Sequence, residues 1–218
     1  MKHRVYPPVI LAAVLFLTWG FLSPAFPAPP DNYTAKMVME GMVMPIAKMG
    51  NKMRAENPMM QGLVTIHYLD SGRMIMVSTA NKTYMEQEKP AERAPSIDDP
   101  RVVVEKKSIG SETIDGHPCT KYDAVFYLKD KPAEKYKALI WEAKDLGGLA
   151  IRNETMLPPE KAPGGKSKVV TELKEVKVGA AQASMFEVPK DYRKVNDMME
   201  MMGGMQKMDE MFRGMKKK

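Results

Sequence analysis

A single cysteine, Cys119, stands in this 218-residue chain, so no intramolecular disulfide can brace it. Histidine is nearly as scarce, with His3, His67 and His117 the whole supply. His117-Pro118-Cys119 offers at most two metal ligands where a zinc site needs three or four. A glycine-rich phosphate loop is missing, as is any grouping of acid, base and nucleophile, and this argues against an enzyme and against a resident cofactor. Charge of one sign is also lacking. The chain holds 33 basic and 27 acidic residues, interspersed, and its net charge of +6 forms no stripe that would follow a nucleic-acid backbone. These absences leave a binding or structural protein that must be stabilised by an apolar core.

The N-terminus is the one region with a continuous apolar run. Lys2 and Arg4 precede Val9 to Phe21, and small and proline residues continue to Ala28, which is the three-part layout of a secretory signal. The run is short for a membrane span. Ser23 and Ala25 sit at the two positions a signal peptidase reads, so residues 1–25 are expected to be removed, giving a periplasmic or secreted protein. Cutting there removes two basic residues, so the balance falls from 33 minus 27 to 31 minus 27, or +4.

What the chain has in excess is methionine, 22 residues in all. Eleven lie between Met37 and Met85 and eight between Met198 and Met215, with Met156 and Met185 alone between the groups. Methionine is unbranched and polarizable, so such density suits an irregular or variable apolar partner, or a thioether site for a soft metal.

Between the two groups the chain reads as short β runs punctuated by turns. Tyr33 to Met39 alternates, with Tyr33, Ala35, Met37 and Met39 on one face. After Gly41, Met42 to Met49 runs back, and Gly50-Asn51 turns the chain into Lys52 to Glu56. Gly62 to Leu69 and Arg73 to Ser78 flank the Asp70-Ser71-Gly72 turn. Met74 to Val77 is apolar on both faces and is expected at the centre of the sheet. Thr83 to Glu88 closes the first half, and the proline-rich stretch Lys89 to Pro100 is expected to separate two sheet halves. Arg101 to Ser108 with Ser111 to Ile114, Cys119 to Leu128, Tyr136 to Ala143, Ala150 to Met156 and Lys168 to Lys177 supply the second half. A second proline-glycine loop spans Leu157 to Lys166.

The period then changes. Met198, Met201, Met205, Met208, Phe212 and Met215 recur at three and four residues, one stripe on a helix. Asn196 or Asp197 can cap it, and the lysines at 216 to 218 suit its C-terminal end. Gly203-Gly204 interrupts the pattern.

The stretch Val104-Glu105-Lys106-Lys107-Ser108-Ile109-Gly110-Ser111-Glu112-Thr113-Ile114-Asp115-Gly116-His117-Pro118-Cys119-Thr120-Lys121-Tyr122 resembles a methionine-rich exported family of unknown function related to LolA-like lipoprotein carriers. Ile140-Trp141-Glu142-Ala143-Lys144-Asp145-Leu146-Gly147 and Met185-Phe186-Glu187-Val188-Pro189 with Tyr192 extend the resemblance, which covers about Tyr33 to Val195. Lys190-Asp191 stands where that family usually has glycine. The resemblance implies a mainly β fold, a strongly curved antiparallel sheet forming a LolA-like half-barrel, with a concave apolar side that in LolA-like proteins receives acyl chains. The chain then divides into a signal at 1–25, a LolA-like domain at 30–195 and a methionine-rich helical tail at 196–218.

On this reading Met37, Met39, Met42, Met44, Met74, Met76, Met85 and Trp141 line a groove for an apolar or lipid-like ligand, with a membrane surface or an envelope protein as a further partner. The same methionines read equally well as core. The tail stripe could lie in the groove as a plug, making the protein an interaction or structural element, or dock elsewhere. A third reading is Cu(I) held by the thioethers of Met37, Met39, Met42, Met44, Met198, Met201 and Met205. Cys119 reads as a small buried hydrophobe.

Overall fold

The computed structural model of the protein describes residues 28–88, 97, 101–158 and 167–204. The expected signal at 1–25 and the stripe residues Met205, Met208, Phe212 and Met215 lie outside the described residues. Two antiparallel meanders make up the sheet. The first comprises β1 (Asn32–Met39), β2 (Met42–Met49), β3 (Lys52–Glu56), β4 (Leu63–Tyr68), β5 (Met74–Ser78) and β6 (Thr83–Gln87). The second comprises β7 (Val102–Ile114), β8 (His117–Leu128), β9 (Tyr136–Ala143), β10 (Leu149–Met156) and β11 (Lys168–Val178). Each run of alternating or β-branched residues ends at glycine or a polar turn, and left-handed glycines such as Gly41 at φ 80° and Gly116 at φ 84° close the hairpins.

The two meanders are not separated. β1 pairs antiparallel with β11, from Tyr33 opposite Val178 to Met39 opposite Thr171, which joins everything into one 12-stranded sheet ordered β12-β6-β5-β4-β3-β2-β1-β11-β10-β9-β8-β7. Lys89 to Pro100 falls in sequence between the two halves of that single sheet, β1 to β6 before it and β7 to β11 after it, as expected. The result is a mainly β, curved sheet that does not close into a barrel.

β12 (Arg193–Lys194) pairs parallel with β6 at the sheet margin. A two-residue strand of charged side chains carries no alternation, so the sequence pattern missed it. Its presence makes β5 the third strand from an edge, not a central one. All five residues of β5 are nevertheless buried, because other parts of the chain cover both of its faces.

One cover is the crossing from β11 to β12. Asn32 fixes its start, the side-chain amide donating to the Ala181 carbonyl at 3.2 Å while its oxygen accepts from the Ala181 amide at 3.0 Å. Ala181 and Phe186 then pack on Ala47, Val64, Ile66, Ile75 and Val77. The other cover is α1 (Met198–Met201), capped by Asp197, whose carboxylate accepts from the Glu200 amide at 2.7 Å. The helix is one turn long. α1 itself ends before Gly203 and Gly204, whose φ angles of 85° and 88° are left-handed. Among the described residues no helix is long and apolar enough to cross a membrane.

Candidate apolar binding face

From β1 to β6 the register runs without a shift, so the two faces of this half can be followed strand by strand. Ala35, Ile46, Ala55, Thr65, Met76 and Met85 are successive partners and form one row across six strands. On one side of that row Met37 lies opposite Met44 and Met39 opposite Met42; on the other, Met53, His67 and Met74 are partners in turn. Because side chains on a strand alternate, Met37, Met39, Met42, Met44, Met53, Met74, Met76 and Met85 all project from the same face. Met49, opposite Asn32 and Lys52, belongs to the reverse face. The seven methionines that the sequence nominated thus share a side with Met53. Met53 itself was legible, because the Gly50-Asn51 turn sets it opposite Lys48, two steps along from Ile46.

The face has two unlike parts. At its β5–β6 end Met74, Met76 and Met85 are buried with Leu63, Val195, Met201 and Met202, and Met60 packs alongside. The tail is held there by its backbone as well as its side chains: the Met201 carbonyl accepts from the Thr83 hydroxyl at 2.9 Å and from the Asn81 amide at 3.2 Å. Arg193 pairs with Glu200 beside it. Met201 is fully buried, whereas Met198 is 39% exposed, so the pair does not form the expected stripe. With one helical turn, the inward partner of Met201 is the adjacent Met202.

At the β1–β2 end, Met37, Met39 and Met44 are half-buried and Met42 is 39% exposed. Met37, Met44 and Met53 pack at the margin of a separate cluster built from Tyr33, Ala35, Ile46, Cys119, Trp141, Ala143, Leu149, Ile151 and Leu173. Trp141 is interior to that cluster, only 3% exposed, instead of open to a ligand. Its indole N–H donates to Glu112 at 3.0 Å, and Lys121 and Arg152 lie over the ring at 4.7 and 5.2 Å from its centroid. Lys121 and Trp141 together hold the Glu112 carboxyl below its ordinary range. Arg152 continues the network to Glu154 at 2.8 Å and Glu172 at 3.3 Å. This tryptophan anchors the sheet where the two meanders meet.

Among the described residues other chemistry is sparse. Cys119 is buried, its thiol donates to the His117 carbonyl, and burial pushes its pKa up, the opposite of what a nucleophile needs. His117 pairs through Nδ1 with Asp145 at 2.7 Å. Among the described residues no group of three or more His, Cys, Asp or Glu side chains is placed to hold a metal. Of the thioethers nominated for Cu(I), Met37 and Met44 border the Trp141 cluster while Met201 lies in the β5–β6 cluster; Met205 is outside the described residues. The β5–β6 cluster does, however, gather six thioethers: Met60, Met74, Met76, Met85, Met201 and Met202.

Residues 31–153 match the model of a domain of unknown function, DUF4412, and the chain belongs to that family. No curated protein matches it. Among solved structures it is similar to a DUF1329 family protein from Desulfovibrio piger, at 14% identity, TM-score 0.39, covering 72% of this chain and 90% of that one. It is also similar to a structure described as an outer membrane lipoprotein-sorting protein domain from Vibrio parahaemolyticus, at 8% identity, TM-score 0.35, covering 72% and 89%. A LolA superfamily protein from Nitrosomonas europaea matches at 8% identity, TM-score 0.31, covering 74% and 90%.

Proposed function

We propose that the protein is an exported, non-enzymatic binding protein that holds a lipid-like or other apolar ligand against the β1–β2 end of the methionine face. The observation that carries this reading is the uninterrupted register that aligns eight methionines on one side of six strands while leaving Met37, Met39, Met42 and Met44 partly exposed. Apolar side chains kept at a surface in a group mark an interaction site. Methionine, with three rotatable bonds and a polarizable sulfur, lets that site conform to acyl chains of differing length and bend.

Binding of a fluorescent hexadecanoyl fatty acid, followed by emission, tests the reading directly. Met44→Asp should weaken it at least tenfold, since a carboxylate would have to be desolvated beneath the chain. Ile109→Asp, on the exposed part of β7, should leave it unchanged. Equal binding by both variants, or none by the parent protein, would remove the proposal. Fractionation of cells expressing the full chain should place the product outside the cytoplasm at a mass shortened by 25 residues, as the N-terminal pattern predicts.

A second reading has one observation behind it. Six methionines pack in one cluster at β5–β6, and thioether sulfur is the kind of donor that selects Cu(I) or Ag(I) over Zn(II). Titration with Ag(I), read by mass spectrometry, should give one bound ion that Met76→Leu weakens if this is correct. An empty protein at stoichiometric Ag(I) disposes of it.

A further inference from the structure

The face that carries the methionines does not end at β1. Residues 37–39 pair regularly with β11, and residues 152–156 of β10 pair regularly with both β11 and β9, so side-chain alternation can be followed onto the second meander. Met42, Met39, Thr171, Asn153 and Ile140 are successive partners and form one row. Val169, Thr155 and Ala138 form the row beside it, so Asn153, Thr155 and Thr171 make a polar strip between two apolar regions. On one side lie the partly exposed methionines of β1 and β2. On the other, Ile140 and Ala138 belong to a buried cluster with Phe126, Tyr136 and Leu157. All three strip residues are half-buried, and among the described residues their side chains form no hydrogen bond. The Asn153 amide alone holds two donors and an acceptor. A mostly apolar site with a few unpaired polar groups is the arrangement that fixes the orientation of a ligand.

The placement of charge decides which polar group fits. Arg152, Glu154 and Glu172 alternate to the reverse face, where Lys168 and Lys174 join them in one ionic network. Across residues 37–39, 42–46, 153–155 and 169–173 the strip's own face presents no charged side chain. A carboxylate seated there would lose water and meet no cation. A neutral carbonyl, by contrast, accepts directly from the Asn153 amide and the threonine hydroxyls. We infer that Asn153, Thr171 and Thr155 form a binding site for the uncharged ester or amide group of an acyl ligand, whose chain runs from them over Met39 to Met42. From β10 to β2 there are three strand intervals, about 14 Å at ~4.8 Å each. The far end of this path is open. β3 pairs with β2 only from Ile46 onward, which leaves Met42 without a neighbour on that side and 39% exposed.

This inference rests on the apolar-ligand reading, and three probes separate the two. A fluorescent hexadecanoyl chain is offered to the full chain as its glycerol monoester and as the free acid at neutral pH, with diphenylhexatriene as a hydrocarbon that has no polar group. The monoester should bind about tenfold more tightly than the ionised acid. Asn153→Leu and the isosteric Thr171→Val should each weaken the monoester by about fivefold, the loss of one hydrogen bond. Both variants should bind diphenylhexatriene as the parent does, which also shows that they are folded. Equal affinity for monoester and acid, or monoester binding indifferent to both substitutions, would overturn the assignment. In that event diphenylhexatriene binding that Met44→Asp weakens leaves the apolar-ligand reading standing. If the parent binds none of the three probes, both readings fall.

Discussion

Met201→Ala separates the observed packing from the stripe drawn on sequence. Met201 is completely buried and Met198 is 39% exposed, although both belong to one expected helical stripe. Truncating a buried methionine to alanine loses its transfer free energy and leaves a cavity, together about 2–5 kcal/mol; truncation at a largely solvated position is worth less than about 0.5 kcal/mol. Because α1 is a peripheral turn, the loss is expressed mainly as local opening, which backbone exchange reads best. The amides of Met201, Met202, Gly203 and Gly204 donate to carbonyls within this turn. Their exchange should accelerate by about 30-fold or more for a loss of ~2 kcal/mol in Met201→Ala, and by less than about threefold in Met198→Ala. Urea unfolding followed on Trp141, the one tryptophan outside residues 1–27, should show a smaller change, since its cluster is separate from that of Met201. Equal exchange in the two variants would refute the reasoning.

Three further outcomes follow from particular contacts. Gly41 and Gly62 both have φ near 80°, but a Cβ on Gly41 meets open space while one on Gly62 would come to 2.7 Å from the Thr79 hydroxyl, itself bonded to the Gly62 carbonyl; Gly41→Ala should cost about 1–2 kcal/mol for the left-handed backbone and Gly62→Ala at least ~1 more by urea melts. Lys168 at 2.6 Å and then Arg152 hold the largely buried Glu154 carboxyl below its usual range. A depressed acid stabilises the fold above its unfolded pKa and loses that contribution as pH falls through the folded value, so the stability gap between wild type and Glu154→Gln should narrow on acidification from about pH 5 downward and vanish in strong acid; a gap independent of pH would show the pairing to be energetically idle. Cys119 should resist iodoacetamide at pH 8 until urea opens the sheet, and rapid labelling of native protein would contradict its burial and raised pKa.

The strands of both meanders were legible because one chemical signal, alternation bounded by glycine or proline, operates locally. Met42–Met49, Lys52–Glu56 and Tyr136–Ala143 match the expected limits to the residue. What decides the arrangement of those strands is not local. The β1–β11 pairing joins residues about 140 positions apart, and nothing in either strand names the other. The same holds for β12, which exists because Arg193 and Lys194 find the free edge of β6, with Lys194 reaching Glu86 at 3.0 Å. For β5 an apolar run implied two covered faces, which is correct, and a central position, which is not. Burial on both sides was supplied by a crossing segment and a tail in place of neighbouring sheet layers. The methionine face was half visible: the spacing within β1, β2 and β5 was clear, while the alignment of those strands with one another depends on turn lengths. Met202 had no signal at all, since a helix of the expected length would have turned it away from Met201.

The division of the methionine face follows from topology more than from composition. β11 lies in the middle of the sheet and β12 at its margin, so the chain between them must cross one side of β1–β6, and it takes the side bearing Ala47, Val64, Ile66, Ile75 and Val77. The opposite side is covered from two directions: chain that continues past β12 packs on β6 and β5, and β8, β9 and β10 bring Cys119, Trp141, Leu149 and Ile151 against Tyr33, Ala35 and Ile46. Met76 and Met85 lie under the first cover and Ala35 and Ile46 under the second, whereas Met42, beside the Gly41 turn, is 39% exposed. A side chain fixed by its own tail and one awaiting a partner can then carry the same chemistry, because methionine fills an irregular contact equally well whether the occupant is a neighbouring segment or a separate molecule.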